Sequence, residues 1–206
     1  VVTGSLDTLL TGSYYISSPS YYNTFDITPT ECIEITQLDL HLYSGYWTST
    51  PISVYYREGT ASGYENNSSA WTLITTSTVT CAGYYSPVRL SEMDIPDTQL
   101  DAGKTYGFMV FAHNYYTLLY QQIGPRTYSD SYISLTTVSG GYTLWSSPNS
   151  LTSHFAGTVH YQECPVSGTP PLSYLWSTDC PNYSFSDNTI ARPTLTLAAP
   201  MPSCPT

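Results

Sequence analysis

The run Ile33-Glu34-Ile35-Thr36-Gln37-Leu38-Asp39-Leu40-His41-Leu42 restricts the fold more than any other part of the chain. Apolar residues take odd positions and then even ones, the period-two signature of a strand with one buried face. The change of phase at Gln37-Leu38 predicts a β-bulge. Similar Val-, Ile-, Thr- and Tyr-rich runs recur over 24–27, 52–57, 72–80, 84–90, 105–112, 118–123, 133–138 and 155–162. Gly, Pro and Asn punctuate them at short intervals, and no long 3.6-period apolar stripe is present. That combination predicts an all-β, antiparallel β-sandwich.

Composition narrows the setting. The 206 residues carry a formal charge of −10 with only five basic side chains, which argues against nucleic acid and anionic membrane partners. Charged residues make up 10%, so the polar surface must be built from 58 Ser and Thr together with many of the 21 Tyr. A weakly charged, hydroxyl-rich surface suits an extracellular or cell-surface protein. No basic, apolar leader opens the sequence, which reads as a mature, processed form. No apolar run approaches the ~20 residues needed to span a bilayer.

The five cysteines, Cys32, Cys81, Cys164, Cys180 and Cys204, show no zinc-type spacing, and disulfides are the expectation. The first expected pair is Cys32 with Cys81, and two of the last three are expected to pair with each other. Asn66, Asn67 and Asn182 open N-glycosylation-type triplets, which chance also supplies in an Asn- and Ser-rich chain.

Chemistry is sparse. His154 and His160 would share one face if both lay in a single strand, but they lack an evident third ligand. Asp94-Ile95-Pro96-Asp97 lacks EF-hand spacing and reads as a loop carboxylate pair. Nucleophile elbows and phosphate-binding glycine loops are absent. The expectation is a non-enzyme with no catalytic residue, no cofactor and no metal. Tyr14-Tyr15, Tyr21-Tyr22, Tyr55-Tyr56, Tyr84-Tyr85 and Tyr115-Tyr116 are doublets. In a strand the two rings of a doublet must point to opposite faces, one toward core and one toward a surface suited to interfaces or sugars.

Three blocks emerge: an extension over 1–12, a sandwich over 13–162, and a tail over 163–206. In the tail, Glu163-Cys164-Pro165-Val166-Ser167-Gly168-Thr169-Pro170-Pro171 is a turn leading to Leu172-Ser173-Tyr174-Leu175-Trp176, and a second strand follows at Pro193–Ala198. An immunoglobulin-type sandwich needs about seven strands in about 100 residues. The 44 positions of the tail supply three or four, so it is expected to be an incomplete immunoglobulin-like domain completed by a strand from another subunit.

Several ordered motifs carry a resemblance. Phe25-Asp26-Ile27, Val54-Tyr55-Tyr56-Arg57-Glu58-Gly59-Thr60, Ala70-Trp71-Thr72-Leu73, Leu100–Phe108 and Phe155–Tyr161 together resemble a β-sandwich module of secreted Bacteroidetes-type cell-surface proteins. Gly168–Ser177 looks like the opening of a polycystic-kidney-disease (PKD) type repeat, without that repeat's closing Tyr-x-Val-x-Leu-x-Val strand. The whole is similar to the protomer of environmental bacterial fibrils assembled by donor-strand exchange.

The resemblance implies a structural subunit of an extracellular fibril or pilus whose partners are identical copies in a helical homopolymer, with glycans as possible ligands. A carbohydrate-binding or adhesive module of a secreted protein is the alternative. The expected donor strand is Val1, Val2, Thr3, Gly4, Ser5 and Leu6, and the expected acceptor groove is Leu172, Tyr174, Trp176, Leu195 and Leu197. Burying roughly 400–600 Å² of apolar surface there would give a gross ~10–15 kcal/mol per junction at ~25 cal/mol/Å².

Overall fold

The computed structural model describes residues 3–7, 21–42, 48–81, 90–114, 120–122, 125–141, 143–148, 153–165, 183–185 and 195–197. The chain divides into two compact units, Val1–Cys164 and Pro165–Thr206. In the first unit the early strands are β1 (Thr3–Asp7), β2 (Tyr22–Pro29), β3 (Ile33–Leu40), β4 (Ser49–Glu58) and β5 (Thr72–Thr80). Next come β6 (Ser91–Leu100), β7 (Tyr106–Ala112), β8 (Tyr120–Gln122) and β9 (Thr127–Ser129). The last are β10 (Ile133–Gly141), β11 (Ser153–Phe155) and β12 (Gly157–Glu163). Among the described residues the only helical turn is a short 3₁₀ segment at Ser68–Ala70.

The strands form a four-stranded sheet, β1-β12-β3-β6, and a six-stranded sheet, β5-β4-β7-β2-β10-β9, with all strand pairs antiparallel. A small β11-β8 pair stands beside them. The inner faces close over a core in which Phe25, Ile35, Leu38, Leu40, Val54, Phe108, Leu135 and Val159 are fully buried. Aromatic rings fill its centre, with Phe25 tilted against Phe155 at 4.3 Å and stacked on Phe108 at 5.5 Å, centroid to centroid.

The expected bulge is present. Ile33 and Ile35 point inward, then Leu38 and Leu40, and Thr36 is passed over in the register on both sides. One extra residue re-phases the alternation, so both halves of β3 present their apolar side chains to the core.

The sequence did not reveal β6. Asp94-Ile95-Pro96-Asp97 is not a loop: it lies within this strand, with Met93, Ile95 and Leu100 buried and the acids exposed. Proline and carboxylates are tolerated because β6 is the outer strand of its sheet and is irregular opposite Thr36. The run 84–90 is outside the described residues except for Leu90, which precedes β6.

The disulfide also differs from expectation. Cys32 bonds to Cys164, with Cα atoms 5.4 Å apart, and Cys81 is a free, half-buried thiol. Ile33 pairs with Glu163 at the end of the β3–β12 ladder, so Cys32 and Cys164 are the next residues in register. The Cys164 amide donates to the Cys32 carbonyl at 3.1 Å, whereas Cys81 follows β5 in the other sheet. Cys164 therefore belongs to the first unit's covalent frame rather than to a pair within the tail. Cys180 and Cys204 lie outside the described residues.

A second, smaller core covers the outer face of the six-stranded sheet. Tyr22, Ala61, Trp71 and Met109 are buried there, flanked by Tyr55, Phe111 and Trp145. The 59–71 connection can lie flat on the sheet because residue 107 is glycine. A Cβ at Gly107 would sit 2.6 Å from the Ala61 amide nitrogen. Asp26 anchors the cap, accepting from the Ala61 amide at 2.7 Å and the Thr60 hydroxyl at 2.5 Å. Burial, outweighing these bonds, raises the Asp26 pKa.

In the second unit the described strands are β13 (Tyr183–Phe185) and β14 (Leu195–Leu197), an antiparallel pair.

Candidate functional site

Thr3–Asp7 occupies the edge of its own chain's four-stranded sheet. It pairs antiparallel with β12 in an unbroken register, Thr3 to Gln162, Gly4 to Tyr161, Ser5 to His160, Leu6 to Val159 and Asp7 to Thr158. The expected donor residues from Thr3 to Leu6 are thus already hydrogen-bonded in the single chain. Val1 and Val2 lie outside the described residues.

One contact fixes the register. Gly4 lies over the ring of Tyr161, so close that a Cβ at residue 4 would be 2.5 Å from the phenol oxygen. Tyr161 is 4% exposed and belongs to the main core. Its hydroxyl donates to Asp130 Oδ2 at 2.6 Å, while Asp130 Oδ1 accepts from the amides of Tyr132 and Ile133. Burial first, then the bond to Asp130, pushes the Tyr161 pKa far up, so the phenol is a permanent donor. A ring pinned in this way needs a residue without a side chain opposite it.

The solvent face of the same junction is polar. A shallow depression of about 410 Å³ is lined by Thr3, Ser5, Thr36, Gln37, His160 and Gln162. Asp39 Oδ1 accepts from Gln37 Nε2 at 2.6 Å, His160 Nε2 is 2.7 Å from Asp39 Oδ2, and Gln162 donates to Glu34 at 2.9 Å. The last two contacts brace β12 against β3. The described side chains of β1 face outward at Thr3 and Ser5, which are exposed.

The backbone contributions alone are near break-even. About five ladder bonds at a net 0.5–1.5 kcal/mol each stabilise the pairing by roughly 3–8 kcal/mol. Ordering five backbone residues costs about 1–2 kcal/mol each, a sum of similar size. The described strand is held by its ladder to β12 and by the fit of Gly4 on Tyr161.

The other expected sites are dispersed. Leu195 and Leu197 lie in β14, paired with β13, and Leu172, Tyr174 and Trp176 lie outside the described residues. His154 and His160 do not share a strand: β11 and β12 are interrupted at Ala156 and belong to different sheets. His41 is buried, its Nε2 lacks a partner, and burial lowers its pKa to about 4. His113 Nε2 lies 2.7 Å from the Ser53 hydroxyl. Among the described residues no three His, Cys, Asp or Glu side chains are grouped to hold a metal ion.

Asn66 and Asn67 are exposed on the 59–71 cap, whereas Asn182 lies outside the described residues. Of the tyrosine doublets, Tyr55 packs in the outer cluster and Tyr56 against the main core, opposite faces as strand geometry requires. Tyr22 is fully buried beside a half-buried Tyr21. The other three doublets fall outside the described residues. No helix among the described residues is long and apolar enough to cross a membrane.

No protein-family model matches the sequence, and no curated protein matches it.

Proposed function

We propose that the chain is a structural subunit of an extracellular bacterial fibril or pilus, joined to identical subunits by donor-strand exchange. The observation that carries this reading is the edge strand β1, which has a single ladder partner and a register set by Gly4 against Tyr161. A strand near break-even in its own chain can be traded for the same bonds in another copy. The weakly charged, hydroxyl-rich composition and the Cys32–Cys164 disulfide suit an oxidising, extracellular setting.

Two acceptors are open to such a strand. One is the tail groove around Leu172, Tyr174, Trp176, Leu195 and Leu197 that the sequence suggests. The other is the sheet edge that β1 occupies at home. The test is negative-stain imaging of the full chain and of a chain lacking residues 1–8. Filaments from the first and only monomers from the second are expected, and filaments from the truncated chain would overturn the reading.

A second reading, a carbohydrate-binding or adhesive module, is favoured by the aromatic cluster on the outer face of the six-stranded sheet. Trp145 packs edge-on against Tyr55 at 5.0 Å, and Phe111 lies 4.8 Å from His113. Binding to a glycan array by a protein that never forms filaments would select this alternative.

A further inference from the structure

Resting on the fibril reading, we infer that the acceptor of the exchanged strand is the β12 edge of a second copy, in the register seen within one chain. The occupant is defined by identity. Any copy of the chain carries the same Thr3–Asp7 segment, and the Thr158–Gln162 edge is already shaped to it.

The Gly4–Tyr161 contact makes that fit selective. Because the phenol ring is held by Asp130 and by core packing, a strand entering this edge must present a residue without Cβ opposite Tyr161. A slip of one residue in either direction would place Thr3 or Ser5 there, against the ring. Register is thus specified by shape, as sheet edges seldom are when their partners are flat and polar.

The connection allows the exchange. Thirteen residues, 8–20, separate Asp7 from Tyr21, which is hydrogen-bonded to Gly141 and Ala112. Extended, thirteen residues reach about 43–47 Å at ~3.3–3.6 Å each. A unit of this length has a radius of gyration of about 15 Å, hence a width of about 40 Å. The strand can therefore pass to a neighbour without disturbing β2.

Release also creates demand. A freed β12 exposes a row of unpaired amides and carbonyls, which another strand satisfies. Donor and acceptor are different surfaces, so the contact is head-to-tail and propagates unless it closes into a ring. The closed chain is then the storage form of the subunit, and assembly is the opening of that pairing between copies.

Between-chain cysteine trapping tests this. Two pools of full-length chain, Thr3→Cys and Gln162→Cys, each also Cys81→Ser, are mixed, allowed to assemble, oxidised and run on a non-reducing gel. Paired antiparallel positions have the Cα spacing that a disulfide needs. The expected result is filaments in which Thr3→Cys chains are linked to Gln162→Cys chains, at least tenfold above a control in which one pool is the Cys81→Ser parent.

Filaments without that link would overturn the β12 acceptor and leave the fibril reading standing. An unmutated chain that never forms filaments would overturn the fibril reading itself. Should either pool fail to assemble, Ser5→Cys and His160→Cys probe the same register one pair along. Absence of between-chain bonds in both pairs overturns the inference.

Discussion

Replacing Gly4 by alanine is the sharpest probe of the edge strand. The added Cβ would lie 2.5 Å from Tyr161 Oη and 2.6 Å from the ring carbon that bears it, well inside van der Waals contact. Two responses compete. Tyr161 can retreat, losing its 2.6 Å bond to Asp130 at about 1.5–3 kcal/mol together with core packing. Alternatively β1 can detach, losing a ladder that the ordering cost almost offsets. Detachment costs less, and G4A is expected to free the strand while sparing the core. Hydrogen exchange reads this directly: the β12 amides that point toward β1, within Thr158–Gln162, should lose protection. The melting temperature should fall by only about 2–4 °C, corresponding to roughly 1 kcal/mol for a domain of this size. Unchanged protection at those amides would refute the argument, because it would mean that Tyr161 yields before β1 does.

Three further outcomes follow from the first unit. Cys32→Ser should destabilise it by about 2–5 kcal/mol, since the bond closes a loop spanning 132 residues, whereas Cys81→Ser should change little in denaturant melts. His41, whose folded pKa is lowered to about 4, is neutral when buried and protonates more readily unfolded, so its contribution is fully present above about pH 6.5 and is lost as pH falls toward 4. Urea unfolding at pH 7 and pH 4.5 should show that loss, at most about 3 kcal/mol, and His41→Phe should flatten it. Trp145 has a φ of 60°, a left-handed backbone that bulky residues avoid, so Trp145→Gly should be about 1 kcal/mol less destabilising than Trp145→Ala when thermal melts are compared.

The fold class was legible because alternation is a local property of the chain. Ile33 to Leu42 announced both a strand and its bulge, and Tyr55-Tyr56 announced rings on opposite faces. The misses share a physical cause. Cys32 pairs with Cys164 through a ladder whose strands are far apart in sequence, and no spacing rule encodes that register. Strand β6 hid behind Pro96 and its acids, which only an edge position tolerates. The outer cluster of Tyr22, Trp71 and Met109 needed the 59–71 connection to fold back over Gly107, a close approach that a lone glycine does not advertise. Of the proposed donor, the composition was readable in advance. Its docking on β12 was not, because that depends on a pinned tyrosine 157 residues downstream of Gly4 in the chain.

The bond between Cys32 and Cys164 also shapes how the molecule responds to being pulled. Tension applied from a point before residue 32 to one beyond residue 164 bypasses the intervening polypeptide and is borne by sulfur. About 45 nm of slack, the contour of 132 residues at ~3.4 Å each, stays locked away until a reductant cuts the bond. Under load the oxidised body is therefore a short, stiff link, with strand β2 and everything before it outside the shackle.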